Sequence, residues 1–302
     1  RGYQHHPLMH GPMLFHLMAL VYLLFGVSDA TARFVPAAFG TAMVLLPLLL
    51  RPWLGRMGTL AAAGLIAVSP TLLYFSRFVG AGAQDILVAV GMMLIVASVW
   101  RFRVTGAERW LYLLAGGLAL GFTTKEVTYM LAAVLALYLN GALAAELAVH
   151  RTADRVDGVH RWATLVYLPV AWAVALAWPW LPGLRRRFGW EDLPRSGALL
   201  LVVGTLAAPF FAAGIEVPLG RLGVRMAAPA PLDGWTNEQF WGALTIGTLV
   251  ALSAYLGMSW DRRRWLVCAA IFWGISIPLF TTFFTNPRGV ATGIWGSLDY
   301  WL

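Results

Sequence analysis

The stretch Asp85-Ile86-Leu87-Val88-Ala89-Val90-Gly91-Met92-Met93-Leu94-Ile95-Val96-Ala97-Ser98-Val99-Trp100, closed by Arg101-Phe102-Arg103, decides the fold. It carries one acid at its head, no further charge until Trp100, and then two arginines. A hydrocarbon core about 30 Å thick needs about 20 apolar residues in a helix, and flanking arginines hold such a helix in one orientation. The residues on either side repeat the pattern. Apolar runs occur at 36–50, 57–75, 110–123, 127–149, 162–181, 196–215, 240–260 and 265–285, with most arginines in the gaps. A shorter apolar run at 12–25, flanked by histidines, either spans or lies in the membrane interface.

The whole composition agrees. Of 302 residues, 60% are hydrophobic and 12% charged, where a soluble domain carries about 25% charged residues. That excludes a soluble globular protein, a disordered chain and a disulfide-stapled secreted domain. Period-2 alternation, the mark of an outer-membrane barrel, is absent. The expected fold is all-α and polytopic, with about nine or ten membrane spans and an interfacial helix near the N-terminus. The expected organisation is a single domain over 1–302. Residues 1–32 form an outer loop and interfacial helix, 33–285 the membrane helices, and 286–302 an outer-face loop or re-entrant segment. The chain opens on a polar, His-rich stretch and stops at Tyr300-Trp301-Leu302; both ends read as cuts in a longer protein.

The formal net charge is +8, and Lys125 is the only lysine among 22 basic residues. Arginines in short loops account for that charge as orientation signals, so no nucleic-acid partner is expected. Arg51 and Arg56, then Arg101, Arg103 and Arg109, then Arg151, Arg155 and Arg161 mark one side as cytoplasmic. Beyond residue 161 strict alternation fails: Arg185–Arg187 and Arg262–Arg264 look cytoplasmic but fall on the outer side. Cys268 is the only cysteine and reads as a packed apolar residue.

The unusual residues gather on the opposite, outer side. His5, His6, His10 and His16 cluster near the start, where imidazoles suit a metal, a phosphate or plain interfacial water. Arg77 precedes Asp85 across a Gly/Ala loop, and the two either pair or face a polar cavity together. Lys125-Glu126 sits between two helices, as a cap or as a phosphate contact. Asn286 and Arg288 lie in a polar turn after the last span, followed by a Gly- and aromatic-rich tail. Several cations and a carboxylate on one membrane face suit a lipid-linked phosphate.

At this point the residues resemble a known family. His10-Gly11-Pro12, the segment from Phe25-Gly26 through Ser28-Asp29 to Arg33 and Pro36, Tyr74-Phe75-Ser76-Arg77-Phe78 and Thr124-Lys125-Glu126 resemble the GT-C membrane glycosyltransferases. These include the protein O-mannosyltransferases and the lipid A aminoarabinose transferases. The segments 283–289 and 295–302 resemble the branch described as flippase-activity-associated proteins. The resemblance implies transfer of a sugar from a polyprenyl-phosphate donor to an acceptor, on the outward face of the cytoplasmic membrane of a prokaryote. It implies an acid in the first outer loop, which would lie before His5, and a second acid matched here by Asp85 as catalytic residue. It assigns Lys125 and Arg77 to the donor phosphate, with His10, Glu126, Asn286 and Arg288 as further substrate contacts. No metal ligands are assigned, and a divalent cation stays open because some members use one. The competing readings are a non-catalytic partner that binds or flips lipid-linked sugars, and a scaffold subunit among other membrane subunits.

Overall fold

The computed structural model describes residues 10–153, 193–229 and 236–302. Among these every regular element is helical and none is a strand. Five helical stretches are long and apolar enough to cross a membrane: Asp29–Val68, Gln84–Thr105, Val127–Glu146, Arg195–Gly220 and Asn237–Phe280. The chain is a polytopic all-α membrane protein.

Helix α1 is Met13–Phe25. Helix α2, Asp29–Leu45, starts at a capping box in which Ser28 and Thr31 bond reciprocally. A 3₁₀ turn at Leu46–Leu50 then leads into α3, Arg51–Val68. The 40 residues from Asp29 to Val68 would make a helix about 60 Å long, twice the hydrocarbon thickness. The 3₁₀ turn and a left-handed Gly55 (φ 68°) break it. The run expected at 57–75 is likewise two helices: Ser69 ends α3 and caps the short α4, Pro70–Phe75, through its hydroxyl.

Helix α5 is Gln84–Thr105, closed by a left-handed Gly106. Helix α6, Arg109–Phe122, carries buried residues from Trp110 to Phe122. It packs against α5 where Gly91 meets Gly117. A Cβ on Gly117 would lie 3.0 Å from Ile95 Cγ1, so the small residues set the close approach. Helix α7 is Val127–Ala153, α8 is Arg195–Ala207 and α9 is Ala212–Gly220. Helix α10, Asn237–Phe280, starts at a capping box of Thr236 and Gln239 and breaks at Asp261, whose backbone is extended. That break separates the two runs expected at 240–260 and 265–285. Helical turns at Gly289–Ala291, Thr292–Gly296 and Ser297–Asp299 follow, with the Trp295 side chain fully buried.

The charged residues sort to two ends. At one end, Arg103 meets Glu146, Arg195 donates to the carbonyls of Arg103 and Val104, and Arg264 reaches Glu108 at 2.9 Å. The Trp53 and Trp100 rings lie 5.8 Å apart and bring the start of α3 to this arginine end. Arg264 therefore stands at the arginine end with Glu108, and not on the far side where strict alternation had placed it. Arg155, Arg161, the run at 162–181 and Arg185–Arg187 lie outside the described residues.

Beneath the other end sits an aromatic core. Phe122, Tyr129, Phe210, Phe272 and Phe280 come from α6, α7, the turn after α8, and α10. The Phe122 and Phe210 centroids are 4.7 Å apart, and Phe122 meets Tyr129 edge-on at 5.2 Å. This core ties the ends of four segments together and supports the turn between α6 and α7.

Candidate functional site

The turn from Thr123 to Glu126 is built by its own side chains. The hydroxyls of Thr123 and Thr124 donate back to the carbonyls of Ala119 and Leu120, satisfying the last turn of α6. Both threonines are fully buried. Lys125 and Glu126, the next two residues, project from this fixed base to different partners.

Lys125 Nζ lies 2.5 Å from Asp85 Oδ1. Asp85 occupies the first turn of α5, where the helix dipole favours a negative charge. The side chains are 24% and 34% exposed respectively, so the pair is wet on one side. Glu126 Oε2 lies 2.8 Å from His10 Nδ1, and these side chains are 23% and 15% exposed, His10 first. A lysine–carboxylate ion pair and a histidine–carboxylate hydrogen bond thus stand on adjacent residues.

His10 is held there by main chain. The Gly11 N–H donates to the Thr124 carbonyl and the Met13 N–H to the Thr123 carbonyl, both at 2.9 Å. Gly11 is packed so closely that a Cβ would collide with the Thr123 carbonyl. His10 itself has φ 62°, a left-handed conformation rare outside glycine. Strain of this kind persists only where its surroundings hold it. Here those surroundings are the bonds to Thr123 and Thr124.

A third strand of contacts joins the end of α10. The His16 Nε2–H donates to the Leu279 carbonyl at 2.8 Å, and its ring meets Phe283 edge-on at 5.5 Å. Thr282, Phe283 and Phe284 all have positive φ. That turn is tied by bonds from the Phe283 N–H to the Pro278 carbonyl and from the Asn286 N–H to the Thr281 carbonyl. Phe283 and Phe284 are exposed beside it.

Four of the expected site residues, His10, Asp85, Lys125 and Glu126, therefore come together. Arg77 does not pair with Asp85. Lys125 takes that carboxylate, and Arg77 is exposed one loop away, its carbonyl accepting from Arg33 Nη1 at 2.8 Å. Asn286 enters the neighbouring turn through its main chain, and Arg288 is exposed there. Among the described residues no group of three or more His, Cys, Asp or Glu side chains is placed to hold a metal. His5 and His6 lie outside the described residues.

The sequence reading did not find the His10–Glu126 pair. Its partners are 116 residues apart, and no spacing links them. The one local sign was Gly11 after His10, a residue that permits close backbone approach.

An all-α membrane protein with the Asp85–Lys125 ion pair and the His10–Glu126 hydrogen bond gathered at one end of its helices is thus defined by fold and site. It belongs to the dolichyl-phosphate-mannose-protein mannosyltransferase family, whose model matches residues 5–180, more than half of the chain. The matched segment contains His10, Arg77, Asp85, Lys125 and Glu126, and ends before Asn286 and Arg288. The chain is a membrane glycosyltransferase-like protein. No curated protein and no solved structure matches it.

Proposed function

We propose that the chain is a GT-C-type glycosyltransferase that takes a sugar from a polyprenyl-phosphate donor at the end bearing Asp85 and Lys125. The observation that carries this reading is the partly buried Asp85–Lys125 pair at the head of a membrane helix. An ionisable pair on a membrane-spanning helix is costly unless it is wet or used.

In the transfer, the acceptor hydroxyl attacks the anomeric carbon. The bond from that carbon to the phosphate oxygen breaks, the acceptor proton passes to a carboxylate, and polyprenyl phosphate leaves with the bonding electrons. The departing phosphate gains negative charge as the bond breaks. Lys125 is placed to exchange its contact with Asp85 for one with that phosphate, stabilising charge that develops in the transition state. Asp85, released from Lys125, becomes free to hold a hydroxyl of acceptor or donor. Glu126 and His10 hold the turn and the preceding loop in place and offer further hydrogen bonds. Arg77, Asn286 and Arg288 are proposed as outer contacts to the donor.

Arginine loops favour the cytoplasmic side, which turns the Asp85–Lys125 end outward from the cytoplasmic membrane of a prokaryote. The proposed partners are the bilayer, the donor lipid and an acceptor. Transfer of labelled sugar from a polyprenyl-phosphate donor, lost in Asp85→Asn and Lys125→Ala, is the test. Donor binding without transfer in the unmodified protein would favour instead the lipid-linked-sugar binding or flipping partner of the flippase-associated branch. Neither binding nor transfer would favour the scaffold subunit.

A further inference from the structure

The arginine end carries a second polar site, far from Asp85 and Lys125. A cavity of about 400 Å³ opens there between α5, α7 and α8, lined by Trp100, Arg103, Val104, Glu146 and Arg195. Arg195 Nη1 donates to the Arg103 and Val104 carbonyls at 2.8 and 2.7 Å, closing the last turn of α5. Both bonds use Nη1; among the described residues no further acceptor bonds Nε or Nη2, which lie beside Gly106. Arg103 donates to the Tyr138 hydroxyl and, at 3.4 Å, loosely to Glu146. Glu146 is engaged more tightly elsewhere: the Ser196 hydroxyl donates to it at 2.7 Å, and the Ser196 N–H at 3.3 Å. Two guanidinium groups thus face one carboxylate that the head of α8 already holds. Among the described residues the cavity lining carries two arginines and one carboxylate, an excess of one positive charge, with directed donors.

Its flank is apolar. Val96, Trp100 and Val104 recur every four residues on α5 and form one stripe leading away from the cavity, with Val96 and Val104 exposed. Tyr138 of α7, which meets Arg103, is exposed as well. The Trp53–Trp100 ring pair stands at the rim, as indoles do at a membrane–water boundary.

We infer that this cavity binds the headgroup of an anionic phospholipid, with the phosphate on Arg195 and Arg103 and the acyl chains along the Val96–Val104 stripe. Guanidinium forks suit phosphate oxygens geometrically. Basic pockets between membrane helices on the cytoplasmic side favour anionic lipid. A free phosphate ion would use the arginines and gain nothing from the stripe. The site is independent of sugar transfer.

The test uses the protein in detergent, titrated with phosphatidylglycerol or with phosphatidylcholine of the same acyl chains, and with inorganic phosphate. Binding is read by native mass spectrometry and by the shift in thermal unfolding. Phosphatidylglycerol should bind about fivefold or more tightly than phosphatidylcholine, and Arg195→Gln should lose about fivefold. Glu146→Gln removes the competing carboxylate and should strengthen binding by a similar factor. Asp85→Asn should leave the preference unchanged. Equal binding of the two lipids, or weaker binding in Glu146→Gln, would overturn the site. An effect of inorganic phosphate equal to that of the lipid would overturn the lipid assignment. If Arg195→Gln does not fold, the headgroup comparison and Glu146→Gln still decide.

Discussion

Lys125 Nζ stands 2.5 Å from the Asp85 carboxylate across forty residues of chain and two helices. The pair gives the cation of one helix junction a resting partner at the head of another. It also sets a competition: a phosphate that arrives must draw Lys125 away from Asp85. The cost of that exchange is small, because ion pairs this exposed contribute about 0–1 kcal/mol.

Lys125→Ala should therefore melt within a few degrees of the parent protein in detergent. Transfer from a polyprenyl-phosphate donor should fall by about 10²–10³, the usual cost of removing one group that stabilises developing charge. Thermal unfolding and initial rates measured on the same preparation check this. Loss of fold would make Lys125 structural.

Asp85→Asn keeps shape and removes charge. Donor binding should be retained or strengthened, because Lys125 no longer has a resident carboxylate, while turnover is lost. Labelled-donor binding and transfer separate the two effects. Unchanged turnover would reduce Asp85 to a partner for Lys125.

Gly11→Ala should destabilise by about 1–3 kcal/mol, the range for a side chain forced into filled space. The added Cβ would meet the Thr123 carbonyl, a backbone atom fixed by the end of α6. The displacement should also part His10 from Glu126. Thermal unfolding reads the first effect. Loss of any difference between the parent and His10→Ala in the Gly11→Ala background reads the second.

Glu108 supplies a pH test at the arginine end. Hydrogen bonds from Tyr112 and Arg264, with the Arg264 and Arg263 charges, hold its carboxyl below the ordinary value of 4.5 against a smaller effect of burial. A carboxyl lowered on folding stabilises above its unfolded value, and the contribution disappears as pH falls through the folded one. The stability difference between the parent and Glu108→Gln should be fully present above the ordinary carboxyl value of 4.5 and shrink as the pH falls below it. Because the pair is exposed, the difference should also shrink in high salt. A difference that grew on acidification would contradict the assignment.

Phe210→Ala should cost about 3–5 kcal/mol, as for a fully packed aromatic ring. Phe210 touches Phe122, Tyr129, Phe272 and Trp273 beneath the Lys125 turn. Transfer should fall along with stability, because the floor under that turn is lost. Proteolysis in detergent and transfer rates follow both.

Hydropathy and charge are properties of neighbours along the chain, so the sequence by itself determined the class of fold and most of the helical runs among the described residues. Ser28 and Thr236 as caps were local in the same way, since a cap needs only the next three residues. The tertiary structure alone decided which charges meet. Asp85 had Arg77 as its nearer cation in sequence, yet it pairs with Lys125, because the packing of α5 on α6 brings the head of one to the end of the other. His10 meets Glu126 only because Gly11 lets the backbone dock on Thr123 and Thr124. The side on which Arg264 stands was decided in the same way, by the break at Asp261 and the contact with Glu108. Such contacts depend on where helices cross and break, and no periodicity within one helix encodes that.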